Sequence, residues 1–201
     1  MRKYYYAVRK GRQIGIFDTW DECNAQVKGY KGAEFKKFST KEEALDFIGV
    51  QRNDVSDDIG EMEIIAYVDG SYNSTTTEFG YGVVLIDHNY EETTFNGSHI
   101  DENYSAHRNV AGEIFGSIEA IKKAIELGKS KIYLHYDYMG ISEWAEGRWK
   151  TNKELTQKYK KFIDEANERI DIRFIKVKAH SNDKYNDMAD KLAKDACGIA
   201  E

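Results

Sequence analysis

The sequence predicts an α/β protein: a mixed five-stranded sheet flanked by helices, preceded by a small α+β module. Three observations predict it. First, the stretch from Gln51 to Glu61 is polar and acidic with no hydrophobic periodicity, and reads as a linker. It gives a first domain over 1–49, a linker over 50–61 and a second domain over 62–201. Second, the longer part has the element order βββαβααβα, a three-strand meander followed by βα units. Third, Asp69, Glu113, Asp137 and Asp190 fall at strand ends and on helices, where an α/β sheet presents side chains to a ligand.

In the first domain, an aromatic run over Tyr4 to Val8 reads as a strand, and Lys10-Gly11-Arg12 as a turn into a second strand, Ile14 to Phe17. Thr19-Trp20-Asp21-Glu22 has the form of a capping box and opens a helix through Val27. A strand is expected over Glu34 to Phe38. A second capping box, Thr40 to Glu43, opens a helix through Ile48.

In the second domain, strands are expected over Glu63 to Asp69, Gly80 to Asp87 and Glu92 to Ile100. Ile114, Ile118, Ile121 and Ile125 recur at helical spacing, so a helix runs from Asn109 to Leu127, with Gly128 as its C-cap. A strand (Lys131 to Asp137), two helices (Met139 to Glu146 and Lys153 to Arg169), a strand (Asp171 to Lys178) and a helix (Lys184 to Ala196) follow.

A composition 41% hydrophobic and 32% charged is that of a globular chain. No apolar run approaches the roughly 20 residues of a membrane span, so no membrane partner is expected. Arg9, Lys10 and Arg12 interrupt any signal-peptide core. Cys23 and Cys197 have neither metal-ligand spacing nor the density of a disulfide framework, which suits a reducing cytoplasm. The net charge of −6 argues against a nucleic-acid partner until its distribution is read. Residues 1–49 hold 10 Lys+Arg against 7 Asp+Glu, and residues 50–201 hold 19 against 28. The small module is therefore basic and suits a polyanion.

Several carboxylates brought together repel one another, and a divalent cation is the usual resolution. Four acids in these settings suit a two-metal phosphodiesterase. Each alone has a plainer reading: Asp69-Gly70 as a hairpin turn, Glu113 as an acid complementing a helix N-terminus, Asp137 and Asp190 as surface acids.

Taken together, the motifs resemble the type 1 ribonuclease H family. Tyr67-Val68-Asp69-Gly70-Ser71 is similar to its first motif, Asn109-Val110-Ala111-Gly112-Glu113 to its second and Asp137 to Trp144 to its third. Val177-Lys178-Ala179-His180, with Asn186 and Asp190-Lys191-Leu192-Ala193, is similar to the fourth. Residues 4–48 resemble the hybrid-binding domain fused to many such enzymes. The resemblance implies a ribonuclease H-like fold and an endoribonuclease that cuts the RNA strand of RNA–DNA hybrids, leaving 5′-phosphate and 3′-hydroxyl ends. It implies two Mg²⁺ ions, with Mn²⁺ as an alternative. Asp69 bridges them, Glu113 and Asp137 hold one, and Asp190 holds the other. It implies an auxiliary role for His180 in proton transfer or product release. Arg108, Asn109 and Asn152 are implied on the hybrid backbone, and Tyr6, Trp20, Phe35, Lys36 and Lys37 on the binding face of the first domain. Because neighbours on a strand point to opposite faces, Lys36 and Lys37 cannot both serve one face squarely.

Three departures from the family stand out. Tyr138 replaces a common Ser, Arg108 replaces a small polar residue, and Trp149 to Asn152 leads directly into a helix where some members insert a basic protrusion. The expected partner is an RNA–DNA hybrid, with double-stranded RNA as an alternative for the first domain, and the expected state is a monomer. Two other readings stay open at this point: a non-catalytic hybrid or duplex RNA binder, and another polynucleotidyl transferase of the same fold.

Overall fold

The computed structural model describes residues 4–39, 41–48, 59–177 and 183–199. The chain divides into two compact units, Met1–Ile59 with Asp87–Glu91, and Gly60–Ile86 with Glu92–Glu201. Of the expected linker, residues 50–58 lie outside the described residues, and Ile59 is buried.

The first unit holds strands β1 (Tyr5–Lys10), β2 (Gly15–Phe17) and β3 (Glu34–Phe38) and helices α1 (Trp20–Val27) and α2 (Lys41–Ile48). Its sheet is antiparallel in the order β2-β1-β3. The central strand is covered on both faces, since adjacent Ala7 and Val8 are both fully buried. Cys23 and Val27 of α1 pack on Val8. Phe47 of α2 meets Phe38, on the Ala7 face. The Thr19 capping box forms as its sequence predicts: the Glu22 amide donates to Thr19 Oγ1 at 3.3 Å, and the Thr19 amide donates to Glu22 Oε2 at 3.0 Å. At the other end of α1, the Arg12 guanidinium donates to the carbonyls of Ala25 and Lys28, satisfying groups a helix terminus leaves open. The expected cap at Thr40 lies outside the described residues.

The second unit has strands β4 (Glu63–Asn73), β5 (Glu78–Ile86), β6 (Glu92–His99), β7 (Lys131–Tyr136) and β8 (Asp171–Lys176). Its helices are α3 (Glu102–Ser105), α4 (Asn109–Glu126), α5 (Gly140–Ala145), α6 (Glu154–Ala166) and α7 (Lys184–Ala196). The sheet order is β6-β5-β4-β7-β8: an antiparallel meander of three strands, then parallel β7 and β8. This is the expected mixed five-stranded sheet. No helix lies between α5 and α6. Among the described residues, no helix is long and apolar enough to cross a membrane.

Two glycine contacts set how closely helices approach this sheet. A Cβ on Gly70 would lie 2.2 Å from the Asn109 carbonyl oxygen and 2.3 Å from the Glu113 amide, so α4 rests on the bare backbone of β4. On β5, a Cβ on Gly82 would lie 2.1 Å from the Ala189 carbonyl oxygen, so α7 rests there in the same way.

Candidate active site

The strand that carries Asp69 does not end there, as the sequence suggested. It runs on to Asn73, and Asp69 and Gly70 pair with Gly82 and Tyr81 of β5. The turn reading of Asp69-Gly70 therefore fails. Glycine is needed at position 70 for the approach of α4, not for a hairpin. Alternation along β4 then puts Asp69 on the opposite face, with Gly82 and α7. Tyr67 pairs in parallel with His135 of β7. Continuing that register by two residues brings Asp137 beside Asp69. Glu113 lies in the first turns of α4, next to Gly112, whose own Cβ would lie 2.1 Å from the Gly80 carbonyl oxygen.

The outcome is a cluster in which carboxylate oxygens of Asp69, Glu113 and Asp137 all lie within 4.8 Å of one another. Asp69 is 9% exposed and Glu113 1%. Burial first, and then the Asp137 charge, push the Asp69 carboxyl up to about 7, against the pull of the Gly70 amide, which donates to Oδ1 at 2.7 Å. Glu113 is pushed well above the usual carboxylate range by burial, then by Asp137 and Asp69, while the Tyr138 backbone N–H opposes this. Glu113 Oε2 is buried and has no hydrogen-bond partner. A buried acceptor without a donor, among crowded carboxylates, fits a hard divalent cation such as Mg²⁺ or Mn²⁺.

Asp190 is not part of this tight set. It acts on Asp69 as a neighbouring negative charge, but its Oδ2 accepts from Lys194 Nζ at 2.6 Å, one helical turn on. Lys194 is a member of the site that the sequence reading missed. The i,i+4 spacing of Asp190 and Lys194 was the available signal. His180 lies outside the described residues. Tyr138 borders the cluster through its amide on Glu113 and through its ring, 5.8 Å from Trp144, which is itself 5.8 Å from Trp149.

Arg108 and Asn109 are exposed at the start of α4, where Arg108 rather than Asn109 occupies the cap position, at φ 51°. Asn152 is exposed just before α6. The two segments are neighbours: His107 is held below its usual pKa by burial and then by the charge of Lys153.

In the first unit, Tyr6, Trp20 and Phe35 form a row, with ring centroids 5.9 and 5.8 Å apart. Trp20 is 45% exposed and Phe35 43%. Lys37 pairs with Tyr6 across β1 and β3, and its Nζ sits 3.6 Å from the Tyr4 ring centroid. Lys36 points to the other face, over Phe38. Of the two lysines, Lys37 shares the aromatic face.

The RNase H family model matches residues 61–198. The chain belongs to the RNase H family. A second model, the ribonuclease H1 N-terminal domain, matches residues 4–48. Among curated relatives, ribonuclease H1 of Mus musculus is 27% identical over 263 aligned positions, covering 98% of this chain and 90% of the relative. Among solved structures, RNase H1 from Halobacterium salinarum NRC-1 aligns with a TM-score of 0.58 at 21% identity, over 69% of this chain and 99% of that one. LC11-RNase H1 in complex with RNA/DNA hybrid aligns with a TM-score of 0.54 at 17% identity, over 67% of this chain and 99% of that one. These two likenesses show the family fold.

Proposed function

We propose that this RNase H family member is a metal-dependent endoribonuclease that hydrolyses the RNA strand of RNA–DNA hybrids, leaving 5′-phosphate and 3′-hydroxyl ends. The observation that carries the reading is the buried cluster of Asp69, Glu113 and Asp137, with its partnerless Glu113 oxygen. The hybrid as substrate is supported by the LC11-RNase H1 complex. When bound, two divalent ions supply positive charge for the attacking water and for the departing 3′ oxygen.

The chain's own residues hold and aim. Asp69, between Asp137 and Asp190 in charge, would help to hold both ions. Glu113 and Asp137 would help to hold one ion and Asp190 the other, with Lys194 neutralising Asp190 in the absence of metal. His180 carries protons near the product. Arg108, Asn109 and Asn152 grip a phosphate of the DNA strand. Tyr6, Trp20, Phe35 and Lys37, with Lys36 at the margin, bind the hybrid through sugar and phosphate contacts independent of sequence. Residues 1–49 then act as the binding domain, 50–61 as the linker and 62–201 as the catalytic domain. Cys23 and Cys197 are buried free thiols, which suits a reducing compartment such as the cytoplasm.

The test is digestion of end-labelled RNA–DNA hybrid, duplex RNA and duplex DNA by the full chain, with Mg²⁺, with Mn²⁺ and with chelator. Cleavage of the hybrid RNA strand alone, only with metal and with 5′-phosphate products, is expected. Cleavage of duplex DNA, or binding of hybrid with no cleavage in either metal, would overturn the reading.

A further inference from the structure

The turn that leads into α4 is built unlike a simple loop. Asp101 caps the short helix α3 by accepting from the Asn103 amide at 2.9 Å. The His107 amide donates to the Tyr104 carbonyl at 2.8 Å, the Val110 amide to His107 at 3.1 Å and the Ala111 amide to Arg108 at 3.1 Å. This chain of bonds ends in Arg108 at φ 51° and ψ −131°, a conformation that non-glycine residues avoid. Such strain persists only where the surroundings over-determine it. On one side, α4 is pressed onto Gly70 and Gly80. On the other stands Tyr104, buried in the core with its ring centroid 6.3 Å from that of Phe115. Its hydroxyl accepts from Lys158 Nζ at 2.6 Å and donates to Glu154 Oε1 at 3.3 Å, both on α6. Those two groups are themselves ion-paired at 2.7 Å. Arg108 is exposed and forms no side-chain cap. The Arg108 backbone closes the start of α4 through its carbonyl, while its side chain is left outward.

We propose that Tyr104 is a positioning residue for substrate binding: its hydroxyl, tied to Lys158 and Glu154, fixes the turn that aims Arg108 at a substrate phosphate. The proposal rests on the reading of Arg108 as a phosphate contact. Removing the hydroxyl leaves the ring packed but frees the turn, so Arg108 is no longer held where the phosphate lies.

The test is steady-state cleavage of an RNA–DNA hybrid by the full chain with Mg²⁺, across a salt series, for wild type, Tyr104→Phe, Lys158→Met, Arg108→Ala and Tyr104→Phe/Arg108→Ala. Tyr104→Phe and Lys158→Met are each expected to raise KM about fivefold with kcat within about twofold. Each should also reduce the slope of log KM against log salt by about one, as on losing one phosphate contact. The double variant should be no worse than Arg108→Ala, because the two residues act as one unit. Additive effects, or a lower thermal midpoint with KM and salt slope unchanged, would show Tyr104 to be merely structural and overturn the proposal. If Arg108→Ala itself leaves KM and slope unchanged, the phosphate-contact reading fails and the proposal falls with it. Wild type that does not cleave hybrid at all would instead sink the proposed function.

Discussion

The two units carry their candidate surfaces in opposite ways. In the second unit, three carboxylates are forced together inside the fold, where burial and mutual repulsion work against them. In the first, Trp20, Phe35 and Lys37 are exposed in part on the face of a small sheet, and Tyr6 packs against its core. A buried, electrostatically costly site is specified by strand register and backbone contact, and tolerates almost no change. A partly exposed face depends on register only for which side chains share it, and degrades in steps.

The sharpest way to break this contrast is Asp69→Asn. Loss of an outer partner of a metal ligand costs about 10–100-fold, so loss of the shared ligand itself should lower hybrid cleavage by more than about a hundredfold. Hybrid binding, followed by anisotropy, should persist. Cleavage within tenfold of wild type would remove Asp69 from the site.

Next comes Gly112→Ala, which adds a methyl 2.1 Å from the Gly80 carbonyl oxygen. Overpacking against backbone costs about 1–3 kcal/mol. A thermal midpoint lower by about 3 °C or more is expected, with cleavage reduced because Glu113 moves with α4. An unchanged midpoint would mean that α4 is not seated on the sheet as described.

The electrostatic side is tested by pH without metal. The Asp69 carboxyl is raised from an unfolded value near 3.8 to about 7, so folding favours its protonated form. Its favourable contribution is complete below the unfolded pKa and is lost as pH rises toward 7. Asp69→Asn should therefore stabilise the metal-free protein, with an advantage that grows between pH 4 and 7 and levels off above. At pH 8 the gain should be about 3 °C or more in thermal midpoint. Mg²⁺ should raise the wild-type midpoint by linkage. Calorimetry showing no dependence on pH, substitution or Mg²⁺ would contradict the repulsion argument.

The smallest effects belong to the first unit. Trp20→Ala should weaken hybrid binding about tenfold, the scale of one lost stacking contact. Lys37→Ala should weaken it by about half as much on a logarithmic scale and lower the salt slope by about one. Lys36→Ala, on the other face, should do least. If Lys36→Ala matched Lys37→Ala, the aromatic face would not be the binding face.

Much of this was legible because periodicity and caps act locally. The isoleucine spacing in α4 and the Thr19 box correspond to elements that formed within a residue or two of expectation. Asp69, Glu113 and Asp137 were legible through their motifs, but their separation was not, because it depends on β4 pairing with β7 and on α4 seating against β4. What was not legible was tertiary. Helix α3 is four residues long and has no periodicity to read, and only Asp101 as its cap hinted at it. The continuation of β4 past Asp69-Gly70 rests on its pairing with β5 as far as Asn73, and Gly70 is there for the approach of α4, neither of which a local turn rule can anticipate. The tie of Tyr104 to α6 joins residues some fifty positions apart.

The parallel pairing of β4 with β7 also orders events in time. Domains fold as units during synthesis, N-terminal first. Every residue of the Tyr6–Trp20–Phe35 face is translated before Asp69. Asp69 then waits for β7 before it meets Asp137, and longer for α7 to bring Asp190. A nascent chain thus completes the first unit, with Asp87–Glu91, before β7 and α7 complete the carboxylate cluster and its surroundings.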